Sequence, residues 1–445
     1  MRTAAQLRID IVTARLLAAL AAAFPLHAPT PARATEAPPA AGLLADPAAL
    51  AGWIERTDPA IAAAAARIDA ARADHRQAGL WPNPELDLGA GNVAIGQKER
   101  QDVDLAAAWS VGLSQTVELG KRGPRTEAAR LRLAAAQEAY RALLGTAVAE
   151  ARAALGEVAW RAARQQVLEE SLALAEEAAA VGASRRRYGE ASGADLARLE
   201  LDTLRLRSEV ERNRAALQAA RAACDARLAL PCAVEEDGAG LLRQAAPLPE
   251  QQAQEAEAQL DARPHLRALT LEARAAEADA TLAARRALPD PAVRLGYEHD
   301  RFRLSNDDPY TLQLGVVLPL PLFDRGTHEA AAARARAREL EALRRANARD
   351  AAQEQAGLLR RLQAVEETLG LLESEALPRS DAIERAAQLA YEQGEYGATE
   401  LLLAQRERLE LRLELADLSF ERFALRNELR RNLGLDAAAA PTSER

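Results

Sequence analysis

The chain has few of the side chains that do redox and metal chemistry. Among 445 residues there are two cysteines, one methionine (Met1) and five histidines. His27, His75, His265, His299 and His328 are scattered, and no Cys or His spacing reads as a metal site. No cofactor is expected. The formal net charge is −9, which argues against a general nucleic-acid binder. Gly120-Lys121-Arg122 lacks the upstream Gly and the following Ser or Thr of a phosphate-binding loop. No Gly-x-Ser-x-Gly occurs, and the many Asp and Glu residues read as solvated helix faces. An enzyme is therefore not expected. Past the N-terminus no long apolar run survives, because Arg and Glu interrupt every helical stretch. If this chain crosses a membrane, it must do so with strands.

What is abundant is Ala, Leu, Arg and Glu, with aromatics at only 3%. That bias reads as long helices with small residues at close seams. At the N-terminus, Arg2, Arg8 and Arg15 precede an apolar stretch over residues 16–24, and Ala32-Arg33-Ala34 offers a cut before Thr35. The stretch falls far short of the ~20 residues that span a bilayer. Residues 1–34 are expected to be an export signal rather than a membrane anchor. No Cys lies near the cut, so lipidation there is not expected. Residues 35–57 continue a Pro-rich segment that is a poor candidate for packed structure. In an oxidising compartment Cys224 and Cys232 either close a small loop or remain two thiols.

The chain also repeats itself. Trp81-Pro82-Asn83-Pro84-Glu85-Leu86 returns as Leu288-Pro289-Asp290-Pro291-Ala292-Val293, 207 residues on. Glu118-Leu119-Gly120-Lys121-Arg122-Gly123 returns as Pro321-Leu322-Phe323-Asp324-Arg325-Gly326, shifted by 203. Gly189-Glu190 before Asp195-Leu196 returns as Gly394-Glu395 before Glu400-Leu401, shifted by 205. Ordered matches at nearly one offset mark a duplicated unit. The two units are assigned residues 58–235 and 236–435, with a tail over 436–445.

Each unit mixes two periods. Residues 58–80 read as a helix, capped by Thr57 or Asp58 and ended by Gly79 and Pro82. Leu86, Leu88 and Ala90 then alternate with polar or small residues. After a polar loop over residues 97–102, Val103, Leu105, Ala107, Trp109, Val111 and Leu113 do the same. The second unit alternates at Val293, Leu295 and Tyr297, then at Tyr310, Leu312, Leu314 and Val316, with a polar loop near residues 306–308 between. Hairpins are thus expected at about 85–118 and 292–319. Very long helical runs follow, over about 125–181 and 327–393, and roughly 57 residues reach about 85 Å. Return helices are expected over about 194–230 and 398–433. Gly189, Gly193, Gly394 and Gly397 mark the reversals, and Pro378 should kink the longer run. The last helix carries two apolar stripes, one through Leu411, Leu415, Leu425, Leu429 and Leu433, the other through Leu402, Leu409, Leu413 and Phe420. Two seams suit a helix with a neighbour on each side.

Four strands cannot close a membrane barrel, since the smallest common ones have eight. Several chains must pool them, and three chains supply twelve. Ten residues tilted near 45° cover about 24 Å, the height of an outer-membrane apolar band.

The duplicated hairpin and coiled-coil unit resembles the TolC family of outer-membrane efflux channels. Trp81-Pro82-Asn83-Pro84-Glu85-Leu86, Gln115-Thr116-Val117-Glu118-Leu119-Gly120-Lys121-Arg122 and Leu318-Pro319-Leu320-Pro321-Leu322-Phe323-Asp324-Arg325 look most like its CzcC/CusC-type heavy-metal branch. The resemblance spans about residues 46–435. It implies a mainly α fold with membrane β: a homotrimer with a 12-stranded barrel in the outer-membrane lipid and a periplasmic α-barrel. It also implies a periplasmic adaptor and an inner-membrane pump of the resistance-nodulation-division type as partners. Lipid-anchored members carry an N-terminal Cys, which this chain lacks. The helix reversals become the periplasmic tip. There Glu400 matches a pore-facing acid of the gate, and Asp195 and Tyr391 match a closed-state latch. A second pore acid of the family is Leu403 here. Gly189, Glu190, Gly193, Gly394, Glu395 and Gly397 would meet the adaptor. The competing reading is a periplasmic coiled-coil adaptor or scaffold, which predicts a single helical hairpin and a lipoyl-like β domain.

Overall fold

The computed structural model describes residues 39–91, 108–234, 237–245, 260–299 and 310–437. The expected signal over 1–34, the hairpin loops at 97–102 and 306–308, the strand positions Val103, Leu105 and Ala107, and residues 438–445 lie outside the described residues.

Each strand pair sits between helices that begin and end near it. Helix α1 is Ala40–Ala45, α2 Pro47–Thr57 and α3 Pro59–Ala78. Strands β1 (Glu85–Gly91) and β2 (Ala108–Thr116) follow. Next come α4 (Arg122–Arg187), α5 (Gly193–Leu228) and the short α6 (Gly238–Gln244). The second unit brings α7 (Pro264–Ala284), β3 (Ala292–His299), β4 (Tyr310–Val317) and α8 (Thr327–Leu371). A π turn over Leu372–Ala376 leads into α9 (Leu377–Glu392), and α10 (Ala398–Leu433) closes the unit. At 66 residues, α4 extends about 100 Å. No described helix is long and apolar enough to cross a membrane.

The four strands form one antiparallel sheet in the order β1-β2-β3-β4. Glu85 faces Ser114 across the first hairpin and Ala292 faces Val317 across the second. Between the units, Leu113 faces Leu295 and Gly112 faces Gly296. That register places Leu86, Leu88, Val111, Leu113, Val293, Leu295, Leu312, Leu314 and Val316 on one face. Leu88 and Leu314 are 73% and 78% exposed there, so the apolar side of the sheet has no cover within the chain. The opposite face carries Glu85, Asp87, Ser110, Arg294, Glu298 and Gln313. Helices α3, α4, α7 and α8 stand side by side in the order of the strands they join.

Three expectations are corrected. The Pro-rich segment is packed from residue 40 onward. Pro47 takes the first position of α2, where its missing N–H costs nothing, and Asp46 accepts hydrogen bonds from Ala48 and Ala49 at 2.9 and 3.1 Å. Leu43, Leu44, Leu50, Trp53 and Ile54 join Leu144, Val148, Leu155 and Leu228 in the largest apolar cluster. Trp53 Nε1 donates to Leu228 O at 2.8 Å, and Arg152, 1% exposed, donates to Leu44 O at 3.1 Å. Burial first, then the nearby Arg430 charge, pushes the Arg152 guanidinium down to about 10. Second, the tail assigned from 436 begins one turn later. Asp436 is 1% exposed and pairs with Arg430 at 2.7 Å. Third, Pro378 does not break its helix. The π turn just before it lets the helix continue past a residue that has no N–H to donate. Helix α7 was not foreseen. Its first residue, Pro264, stands 205 positions after Pro59 of α3, the offset of the helix reversals.

The two seams of α10 are both used. Phe423 and Asn427 face α4, with Asn427 donating to Ala149 O at 2.7 Å. Leu425, Leu429 and Leu433 pack on Leu358, Leu362 and Leu369 of α8. Cys224 and Cys232 stand as a disulfide at the end of α5, with Cα atoms 5.9 Å apart. Cys232 N donates to Asp225 Oδ1 at 2.6 Å.

Candidate functional site: the paired helix reversals

The two reversals are built alike because their sequences are alike. After α4, Gly189 takes φ +81, a left-handed value that costs a glycine little, and Gly394 does the same after α9. Glu190 N closes the first turn on Arg185 O at 2.9 Å, and Glu395 N closes the second on Ala390 O at 2.9 Å. The restarts differ. Ser192 caps α5, accepting from Asp195 N at 3.0 Å while its hydroxyl donates to Asp195 Oδ2 at 2.7 Å. Gly397 precedes α10 and offers no side-chain cap.

The reversals lie against one another. Ala178 and Leu199 of the first coil and Ala387, Tyr391, Ala398, Leu401 and Ala404 of the second form one buried cluster. Tyr391 is 2% exposed. Arg185 lies 5.0 Å over its ring and donates from Nη1 to Tyr391 O at 2.9 Å. Arg198 Nη1 donates to Thr399 Oγ1 at 2.9 Å, and Arg406 pairs with Asp202 at 3.2 Å. Higher up, Glu170 of α4 bonds Arg412 of α10 at 2.5 Å. Burial pushes the Glu170 carboxyl up, but hydrogen bonds from Arg412 and Gln166, with the charges of Arg412 and Arg408, bring it below its ordinary value.

The proposed latch is not made as a hydrogen bond. Asp195 is engaged by Ser192 and stands 3.7 Å from Arg198. The Tyr391 hydroxyl is buried and has no hydrogen-bond partner. It faces Gly182, where a Cβ would lie 2.9 Å from it. Burial raises the Tyr391 pKa, an effect that Arg185 opposes and Asp195 supports. Tyr391 is therefore a plug between coils, seated on a residue without a side chain. Arg185 and Gly182 were not singled out from sequence. The one signal was a lone glycine in an Ala-rich helix, three residues before Arg185-Arg186-Arg187.

Glu400 sits in the first turn of α10, exposed, with no ion-pair partner among the described residues. A carboxylate in that turn is favoured by the helix dipole. Leu403 is 59% exposed beside it. Among the described residues no cluster of His, Cys, Asp and Glu is arranged to hold a metal ion.

At the other end, the sequence motifs join the two units. Lys121 Nζ pairs with Asp290 Oδ2 at 2.6 Å, and Leu119 N donates to Asp290 Oδ1 at 2.9 Å. Val117 N donates to Pro291 O at 2.9 Å. Arg125 forks onto Glu118 through both guanidinium nitrogens, at 2.5 and 2.9 Å. Arg122 lies 5.2 Å over the Trp81 ring.

A four-stranded sheet with a bare apolar face, carried on duplicated coiled-coil rods, defines a strand-inserting membrane protein with a long helical extension. The chain belongs to the outer membrane efflux protein family, which matches residues 54–229 and 248–435. It is 31% identical over 304 residues to the nickel and cobalt resistance protein CnrC of Cupriavidus metallidurans, covering 66% of each chain. It is 30% identical over 317 residues to the nickel-cobalt-cadmium resistance protein NccC of Alcaligenes xylosoxydans xylosoxydans, covering 66% of this chain and 63% of that one. These matches fall just short of two thirds of either relative's length. Among solved structures, CusC superposes with a TM-score of 0.68 at 19% identity, covering 87% of this chain and 91% of that chain. The outer membrane protein VceC of Vibrio cholerae gives 0.68 at 19%, covering 88% and 96%. The fold is therefore that of the outer-membrane channels, and nothing in the family or fold points to an enzyme.

Proposed function

We propose that this protein is the outer-membrane exit duct of a tripartite efflux system. Three copies close a 12-stranded barrel and a periplasmic helical tunnel. A periplasmic adaptor meets the helix reversals, and an inner-membrane pump of the resistance-nodulation-division type drives the transport. The cargo is heavy-metal cations or small toxic compounds, passed by conduction. The metal-resistance relatives favour divalent cations. Selection would then rest with the pump, because no metal cluster is found among the described residues.

One observation carries this reading. The sheet has two unpaired edges, β1 and β4, and an uncovered apolar face. In a bilayer only a closed barrel satisfies such edges. The adaptor reading predicts one helical hairpin, whereas this chain has two and a membrane-type sheet.

At the tip, three Glu400 carboxylates would ring the tunnel and attract cations. Gly189, Glu190, Gly193, Gly394, Glu395 and Gly397 present the turns to the adaptor. Purified protein in a planar bilayer tests the gate. Glu400→Ala should raise single-channel conductance or weaken block by added divalent cations. Unchanged values in both would remove Glu400 from the gate.

A further inference from the structure

The seam between the two units of one chain is a template for the seam between copies. Two independent alignments fix the equivalence. The Trp81 and Leu288 motifs superpose β1 on β3 with a shift of 207, and the Gly123 and Gly326 motifs superpose β2 on β4 with a shift of 203. The hairpin registers agree: Glu85 faces Ser114 as Ala292 faces Val317, which reproduces both shifts.

We propose that β4 of one copy pairs with β1 of the next in the register that β2 keeps with β3. Leu113 opposite Leu295 becomes Val316 opposite Leu88 of the next copy. Gly112 opposite Gly296 becomes Gly315 opposite Gly89, so glycine again meets glycine. Ser114 opposite Arg294 becomes Val317 opposite Asp87. The apolar side chains stay on one face throughout, as a barrel wall requires. The inference rests on the oligomeric reading above and names the surfaces it uses.

The ends of the two seams differ in chemistry. Within the chain the junction is clasped by Lys121 and Asp290. The equivalent positions between copies hold Asp324 and Asn83, which cannot form that ion pair. Gly120 lies beside Leu288, where a Cβ on it would approach Leu288 Cδ1 at 3.9 Å. The equivalents are Phe323 and Trp81, 100% and 53% exposed in the single chain. Gly120 is left-handed and Phe323 is not, so the equivalence fixes position along the seam, not ring orientation. An aromatic contact between Phe323 and Trp81 of the next copy replaces the ion pair. It covers the most exposed large apolar side chain among the described residues.

Paired cysteines in the full-length protein, extracted from outer membranes, test the register. Leu88→Cys with Val316→Cys, and Asp87→Cys with Val317→Cys, sample both kinds of antiparallel pair, one of which suits a disulfide. At least one should cross-link copies about tenfold more than Leu88→Cys with Leu314→Cys, which is two residues out of register. Phe323→Ser should lower the temperature at which the oligomer dissociates, and raising salt should not. Native mass spectrometry of the unlinked protein accompanies each sample. A trimer whose cross-links favour another register overturns this inference and leaves the channel reading standing. A monomer throughout overturns both. A Phe323→Ser trimer as stable as the parent removes the aromatic contact.

Discussion

Replacing Tyr391 by Phe separates a hydrogen-bonded latch from a packed plug. In the structure the Tyr391 hydroxyl is buried against Gly182 and unpartnered, and Asp195 is held by Ser192. A buried hydroxyl without a partner carries a desolvation penalty of about 1–3 kcal/mol. Tyr391→Phe removes that penalty and leaves the ring, the Arg185 contact and the cluster in place. After some relief by local relaxation, about 1 kcal/mol of stabilisation remains, roughly fivefold in the equilibrium that parts the two coils. A latch donating to a carboxylate predicts the reverse, a loss of about 1.5–3 kcal/mol. Tyr391→Ala should part the coils under either scheme, because emptying an aromatic site costs about 3–5 kcal/mol. Hydrogen exchange of the amides over residues 178–199 and 387–404 reads the equilibrium, with single-channel conductance as a second readout. Tyr391→Phe should slow exchange and leave conductance unchanged or lower. Faster exchange with higher conductance would refute the plug and restore the latch.

Two more predictions follow from packing and charge. A Cβ on Gly156 would lie 2.1 Å from Phe423 Cε1, so Gly156→Ala must displace α10 from α4. It should cost about 1–3 kcal/mol, measured by denaturant unfolding, and Phe423→Leu on top should recover part of it; no recovery would place the strain elsewhere. The depressed Glu170 carboxyl contributes stability that is present above its unfolded value and lost as pH falls through its folded one. Exchange at residues 166–174 and 408–416 should therefore quicken below the ordinary carboxylate range. Arg412→Met should abolish that acid step, and an unaltered step would assign it to another group.

Most of the architecture was written in periodicity. Strand alternation at Leu86 and Leu88 and at Leu312, Leu314 and Val316 placed both hairpins, because a half-exposed sheet enforces period two. The last helix fell at Ala398–Leu433 because glycines bound it on both sides. The N-terminal helices were hidden by composition. Prolines that look like breakers in a list are helix starters when an Asp caps them, as Asp46 and Pro47 do. Helix α7 was hidden for a different reason. Its Arg263 cap position makes no side-chain bond to the helix, so only the 205-residue offset from α3 announces it.

The tip was legible in outline and not in detail. Glycines at 189 and 394 fixed where the chain turns, since few other residues tolerate that backbone. Which side chains meet across the turns depends on rotation of one coil against the other. Pattern alone does not set that rotation. Asp195 had a local partner in Ser192, three residues away, and a local cap outcompetes a distant hydroxyl. Tyr391 was correctly singled out, but what it touches follows from the missing side chain at Gly182, a contact 209 positions away in sequence.

The central claim is that one chain supplies a third of a closed strand barrel. Native mass spectrometry of protein extracted in mild detergent from isolated outer membranes tests it most directly. The account predicts a trimer as the dominant species, with little protein in the soluble periplasmic fraction. A soluble monomer, or an oligomer that three-fold pooling of four strands does not give, would contradict it.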